Sequence, residues 1–504
     1  MSSAVIPTSH SSWDTITTFV SAQIKKGPPV IPAFANLEKA LTGHSALKKG
    51  QLDEVVRRYV NAVEAIDVHT HLLPPTHANL LLFGIDELLT YHYLVAELFM
   101  VLPIDLEEDT VSTQFDAAAQ APTTDEFFSW PKAKQADLVF EELFIKRTPL
   151  SEACRGVITC LKMLSLGEAL SRAARADAPR DSRLTEVRAW FAEQEPAEYL
   201  EKVFGLAGLK YAVMTNVPFA PEEAAHFLQA PPKPITPRLK TALRIDPLLA
   251  GDWSAVRKAL LASSPPYATS LEGCYNYIKD WVARIQPLYL MASTPHGFRY
   301  KRSAAAAAPF APFSALGGDG GDAPDATALL EQVLLRVAVE CKLPIALKVG
   351  AVRGINPALR TGGDGVEVAD LTFVSELCRH FPQVKLLVTV LSNDNQHELA
   401  VLARKFGNLH VYGCWWFCNN PSLIETTTRM RLEMLGTAFT AQHSDSRVLD
   451  QLLYKWRHSR DAIAPVLAAQ YGELVDAGWA VSEADVQRDV RLLFGGAFEA
   501  FLAK

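Results

Sequence analysis

His69 and His71 stand one residue apart in AIDVHTHLLPP, residues 65–75. Imidazole is the commonest neutral metal ligand, and this spacing lets both rings converge on one ion. The plain alternative is two polar side chains satisfied by hydrogen bonds at a strand end. Read as a strand, alternation puts Asp67, His69 and His71 on one face, with Ile66 and Val68 on the other. The apolar face is then expected to meet helices, and the polar face to line a barrel. Asp67 either orients a histidine from behind or closes a hydrogen bond of the barrel wall. An ion needs a further ligand, preferably anionic. Asp445, in TAFTAQHSDSRVLDQLLYKW, stands after the last strand candidate and ahead of a helix. The alternative there is that Ser444 or Asp445 caps that helix and Arg447 is an ordinary first-turn residue. In a barrel the eighth strand closes beside the first, which would set Asp445 across from His69 and His71.

Other polar and aromatic residues fall at strand ends. YGCWWFCNNP carries Trp415 and Trp416, either as the aromatic wall of a pocket or as core and helix-covering residues. LRIDP carries Arg244, a candidate carboxylate clamp or the partner of Asp246. KVGAVRGINP offers Arg353 and Lys348 with the same two readings. His92 sits in the apolar TYHYLVAELF, where a core histidine is the default. Cys414 and Cys418 are spaced as C-x₃-C, but no second pair accompanies them.

The elements that must position these residues show in the hydrophobic pattern. Apolar runs AIDVH, LKYAVMT, RLKTALRI, PLYLMAS, LPIALKVG, VKLLVTVL, LHVYGCWWF and LGTAFTA alternate with helical stretches such as ATALLEQVLLRVAVECK. That alternation predicts an α/β fold of parallel strands with crossover helices. Eight candidates suggest a (β/α)8 TIM-type barrel. Residues 1–62 read as an N-terminal helical extension, and 63–504 as the barrel domain. Within the latter, about 100–205 reads as a helical insertion after the first strand, and the Ala/Gly/Pro-rich 303–325 as a surface loop.

Composition sets limits. The 504 residues are 49% hydrophobic and 21% charged, enough for a large core. A net charge of −7 argues against a general nucleic-acid binder. No apolar run reaches the ~18 residues of a spanning helix, so no membrane partner is expected. Seven scattered cysteines and no signal-peptide pattern point to a reducing, cytoplasmic setting.

Taken in order, IDVHTHLLPP, ELLTYHYL, FFSWPK…LVFEELFIKR, LRIDP, KVGAVRGIN, LSNDNQHELAVLARKFGN, GCWWF and HSDSR resemble the uronate (glucuronate) isomerase family of the amidohydrolase superfamily, collinearly from about residue 62 to 475. The resemblance implies a metal-dependent hydrolase-type barrel. In it His69 and His71 are metal ligands, and Asp445 is both ligand and proton shuttle. Arg447 contacts substrate, His92 enters the active site, and Trp415, Trp416, Arg244 and Arg353 join the substrate-binding set. One divalent ion is implied, zinc first, with manganese or iron as alternatives. The implied partner is a small sugar acid, and a homo-oligomer is plausible. Three stretches depart from the family: MTNVP with Asn216, STPHGF with Pro295 before His296, and GAVRGIN. They bear on which sugar acid is used. The expected reaction is aldose–ketose isomerisation of a uronic acid, of the glucuronate-to-fructuronate type. A metal-dependent hydrolase of amides, esters or lactones and a non-catalytic binding barrel are the rivals.

Overall fold

Seven of the eight apolar runs form strands in the computed structural model. It describes residues 46–103, 121–175, 177–229, 235–302, 310, 312–315 and 323–504. The strands are β1 (Ala65–Thr70), β2 (Leu209–Asn216), β3 (Leu239–Arg244), β4 (Leu290–Ser293), β5 (Ile345–Val349), β6 (Leu386–Val390) and β7 (Leu409–Val411). They pair in parallel, in chain order, as one curled sheet. Val, Ile and Leu dominate them because both faces are covered. The extension expected over 1–62 is described only from residue 46, where α1 (Leu52–Ala62) buries Leu52, Val55, Val56 and Val60. Most of the 303–325 loop lies outside the described residues. Among the described residues, no helix is long and apolar enough to cross a membrane.

The eighth run departs from expectation. Only Thr440 bridges to Tyr412, and the chain then continues without strand geometry. The gap between β7 and β1 is nevertheless bridged. Thr440 N donates to Val411 O at 3.0 Å and Gly413 N to Thr440 O at 2.8 Å. On the other side Asp445 N donates to His69 O at 3.1 Å and His71 N to Ser446 O at 2.7 Å. Side chains replace the missing ladder. Gln442 Oε1 accepts from Cys414 N, Asn419 Nδ2 donates to His443 O and Ser444 O, and Lys455 Nζ donates to Ser444 O. A run of Gln, His, Ser and Asp supports this side-chain closure where an apolar run would have supported a strand.

The inner face of the sheet also differs from the alternation argument. Ile66 and Val68 belong to the interior cluster, with Tyr211, Val213, Ala242, Tyr289, Met291, Ala346, Leu387 and Tyr412 from the other strands. The Tyr289 hydroxyl reaches across the interior to Val68 O. Asp67 points the other way. Its carboxylate accepts from Trp456 Nε1 at 2.9 Å and Ser444 N at 3.0 Å. Trp456 lies on the long helix Gln451–Asp476 outside the sheet. Asp67 therefore secures the barrel seam, and among the described residues no imidazole ring hydrogen-bonds its carboxylate. The register of β1 against β2 slips between Asp67 and Thr70, and that irregularity turns His69 inward despite the odd-numbered face.

Aromatic rings from the C-terminal helix Ala497–Ala503 fill the interior opposite the site. Phe498 and Phe501 join the inner cluster, and Phe501 stacks on His410 at 5.0 Å. Burial, then the Arg431 charge, pushes His410 down to about 3. The unfolded chain therefore takes up a proton near the ordinary value of about 6.5, long before the folded one does. The stability His410 contributes is full above that pH and is lost as pH falls. Relative to His410→Leu, the wild type is expected to lose about 1.4 kcal/mol per pH unit between about 6 and 4. Urea unfolding of both proteins across that range checks it; parallel curves would contradict the burial argument.

Candidate active site

Three ligand atoms meet where β1 ends and the closing segment passes it. His69 Nε2 lies 3.0 Å and His71 Nε2 3.5 Å from Asp445 Oδ1. The two rings stand edge to face, 5.0 Å apart. Among the described residues this is the group of His, Cys, Asp and Glu side chains close enough to share an ion, with all its ligand atoms within 4.8 Å. Burial, then the Lys348 charge, pushes His69 down to about 4. Burial likewise holds His71 well below the usual imidazole range. Both rings are thus neutral near pH 7 and keep a lone pair to give. Burial alone would raise the Asp445 carboxyl, but the opposing influences, the Lys348 ammonium first among them, outweigh it and hold the group ionised. Two neutral imidazoles and one carboxylate form a donor set suited to a divalent ion.

Asp445 does not cap a helix. The next helix starts at Gln451, with Asp450 as the residue before it. Asp445 has a φ of 53°, in the left-handed region. Few residues other than glycine tolerate that region, though Asp does so more readily than most. The turn stops the extended chain and aims the carboxylate at the imidazoles. Arg447 lies on the link to the helix, and its backbone N donates to Gln451 Oε1 at 2.9 Å.

The aromatic pair sits past the end of β7. Trp415 and Trp416 are both buried and cluster with Ala351 and Leu391. The centre of the Trp415 ring is 4.8 Å from Lys348 Nζ, and that of Trp416 is 5.8 Å from the Arg353 guanidinium. Trp416 also meets His92 edge to face at 5.6 Å. His92 is the first residue of the helix His92–Val101, and its buried Nε2 has no hydrogen-bond partner among the described residues. It is not the satisfied core histidine that its apolar surroundings suggest. Burial, then the Arg447 charge, pushes it down to about 3. His92 and Trp416 line a cavity of about 240 Å³ with Tyr93, Glu97, Glu152 and Asn419.

The arginines differ in their freedom. Arg244, on the inner face of β3, is held by Asp246 through Nε at 2.9 Å and Nη2 at 3.2 Å, the structural pairing weighed above. Its charge still reaches His69 and Asp445. Arg353 is paired with Asp364 on the short ribbon after β5. Arg447 is exposed, and among the described residues no ion pair or side-chain hydrogen bond holds it. Asn216 donates to Glu223 at 2.7 Å. His296 pairs with Glu367 at 3.0 Å.

Two residues carry more of the site than the sequence suggested. His443 is buried against His69, ring centres 5.6 Å apart, and neither ring nitrogen has a hydrogen-bond partner among the described residues. Lys348, left above as one of two ambiguous cations, places Nζ 3.2 Å from Asp445 Oδ1 and 2.9 Å from His69 Nε2. Signals existed for both: a second histidine two residues before Asp445, and a lysine inside the apolar run PIALKVG.

No protein-family model and no curated protein matches the chain. Among solved structures it is similar to a uronate isomerase from Bacillus halodurans C-125, with 38% identity and a TM-score of 0.77 over 91% of this chain and 98% of that one. It is also similar to a uronate isomerase from Thermotoga maritima, with 15% identity and a TM-score of 0.64 over 91% and 100% of the two chains. A glucuronate isomerase from Caulobacter crescentus matches at 16% identity and a TM-score of 0.58, over 90% and 94%. The last two speak for the TIM-type fold alone. With 38% of residues shared across nearly the whole Bacillus halodurans protein, the chain belongs to the uronate isomerase family.

Proposed function

We propose that the chain interconverts an aldose-type uronic acid and its ketose form, in the glucuronate-to-fructuronate manner. Family membership carries the reading, and the convergence of His69, His71 and Asp445 supports it. The hydrolase and binding-barrel alternatives have no comparable support. These three side chains would hold one divalent ion, zinc in the first place and manganese or iron as alternatives. Bound there, the ion would supply Lewis-acid polarisation of a substrate oxygen.

While a hydroxyl proton passes from the C2 oxygen to the C1 oxygen, the reaction moves one carbon-bound proton from C2 to C1. Asp445 is the base for that transfer. It is ionised and buried, and its carboxylate is fixed by the turn at its own backbone. Trp416 and His92 wall the cavity and Trp415 covers Lys348, and together they keep water from the transferred proton. Arg447 is the carboxylate clamp, because its guanidinium alone of the three candidate arginines has no acid paired to it among the described residues. Arg244 and Arg353 contribute positive potential from their existing pairs. Seven free cysteines suit a reducing cytoplasmic setting.

Proton NMR of purified protein with D-glucuronate should show ketose signals growing in. Hydrolysis of a lactone or amide panel with no ketose formed would overturn the assignment. Arg447→Met should raise KM about 10- to 100-fold, the worth of one charge-assisted hydrogen bond. kcat should fall less, and Arg447→Lys should recover part of the loss. Steady-state kinetics check this; an unchanged KM would move the clamp to Arg244 or Arg353.

A further inference from the structure

Lys348 follows Ala346 on the inner face of β5 and brings an ammonium into the ligand cluster. Its side chain is only 4% exposed, and its ion-pair partner among the described residues is Asp445. The Trp415 ring, 4.8 Å away, adds a cation–π attraction that favours a positive charge at this position. An ammonium has only N–H groups to offer. At 3.2 Å from Asp445 Oδ1 it takes up the carboxylate charge, and at 2.9 Å from His69 Nε2 it engages the imidazole lone pair. A divalent ion needs those same two electron sources.

A charge count shows what this does. Asp445 is the one anion of the ligand set, since both imidazoles enter neutral. With Lys348 beside it the set is neutral overall; without Lys348 it carries one negative charge. In a buried site, where water screens little, that difference weighs heavily on an incoming cation.

We propose that Lys348 is a resident cation of the cluster, competing with a divalent ion for Asp445 and His69 and holding down the chain's affinity for that ion. Binding of the ion displaces the ammonium from the ligands, so occupancy follows the ion's availability instead of being permanent. The proposal rests on the reading of His69, His71 and Asp445 as metal ligands.

The test is a zinc titration of the full-length protein after chelator treatment, against a chromophoric competitor. Lys348→Met is expected to bind zinc at least about tenfold more tightly than the wild type, the size of effect seen for residues that tune a ligand set. Lys348→Arg, which keeps the charge, should bind as weakly as the wild type. Circular dichroism establishes that each variant is folded, and Lys348→Gln serves if the methionine variant is not. Equal affinity in the wild type and Lys348→Met overturns the competition alone. Zinc binding by neither protein overturns the ligand assignment, and the competition with it.

Discussion

Replacing Asp445 with Asn should lower kcat/KM by about 10³- to 10⁴-fold, the usual loss on removing a positioned acid–base group. At about 1.4 kcal/mol per decade this is roughly 4–5.5 kcal/mol of transition-state stabilisation. Asn keeps the shape and the backbone bond to His69 O, so the turn should survive. What disappears is the charge that takes the proton and serves as the anionic ligand. A second consequence separates this variant from a merely damaged one. Lys348 would be left as a buried ammonium with no counter-ion. Breaking such a pair from one side costs about 3–5 kcal/mol. The variant should therefore also melt early. Asp445→Asn combined with Lys348→Met should recover much of the stability and none of the activity. Full activity in Asp445→Asn would remove Asp445 from the chemistry.

A comparable effect on folding is expected from Gly413→Ala. Gly413 has a φ of 62°, and a Cβ there would overlap His443 Nδ1. The backbone cannot move aside easily. Gly413 N donates to Thr440 O at 2.8 Å, and Gly413 O accepts from the buried Arg431 at 2.8 Å. A left-handed alanine costs about 1–2 kcal/mol, and overpacking a rigid site about 1–3 kcal/mol more. The sum, about 2–5 kcal/mol, should appear as a lower urea midpoint with an unchanged slope. Adding His443→Ala should return the packing part and leave the backbone part. A single variant as stable as the wild type would mean that the loop carrying Trp415 and Trp416 is free to shift.

Residues near in sequence were read with more success than residues brought near by the fold. The strands, three to eight residues long, lie in apolar runs between turn signals, and crossover helices such as Leu271–Ile285 show a clear 3.6-residue period. Each depends on local backbone preference and on burying one stripe, so a window of sequence contains the cause. The exception among the strands is instructive. LGTAFTA has the composition of a strand, yet beyond its bridge at Thr440 the chain closes the ring through isolated backbone hydrogen bonds and side chains, because Asp445 must leave the extended conformation to face β1. That requirement arises across the seam.

The ligand set was found by a partly mistaken route. Alternation put His69 on the inner face together with Asp67, whereas Ile66 and Val68 line the interior and Asp67 holds Trp456 on the outside. A slip in the register of β1 against β2 turns His69 inward. No single strand encodes that slip, since it is a property of two strands paired.

By itself, the sequence determined that this is an α/β chain of parallel strands, and that two histidines and a distant aspartate are the residues most able to share an ion. Types, spacing and order are enough for that, because metal ligation and strand formation each need particular residues in a particular rhythm. Only the tertiary structure decided that Lys348 stands among those ligands, that His443 backs His69, and that Arg447 is the arginine left free. These are matters of distance between elements far apart in the chain. Whether a buried charge is paired, shared or free depends on which neighbour the closed ring brings within about 3 Å, where low dielectric makes each such contact decisive.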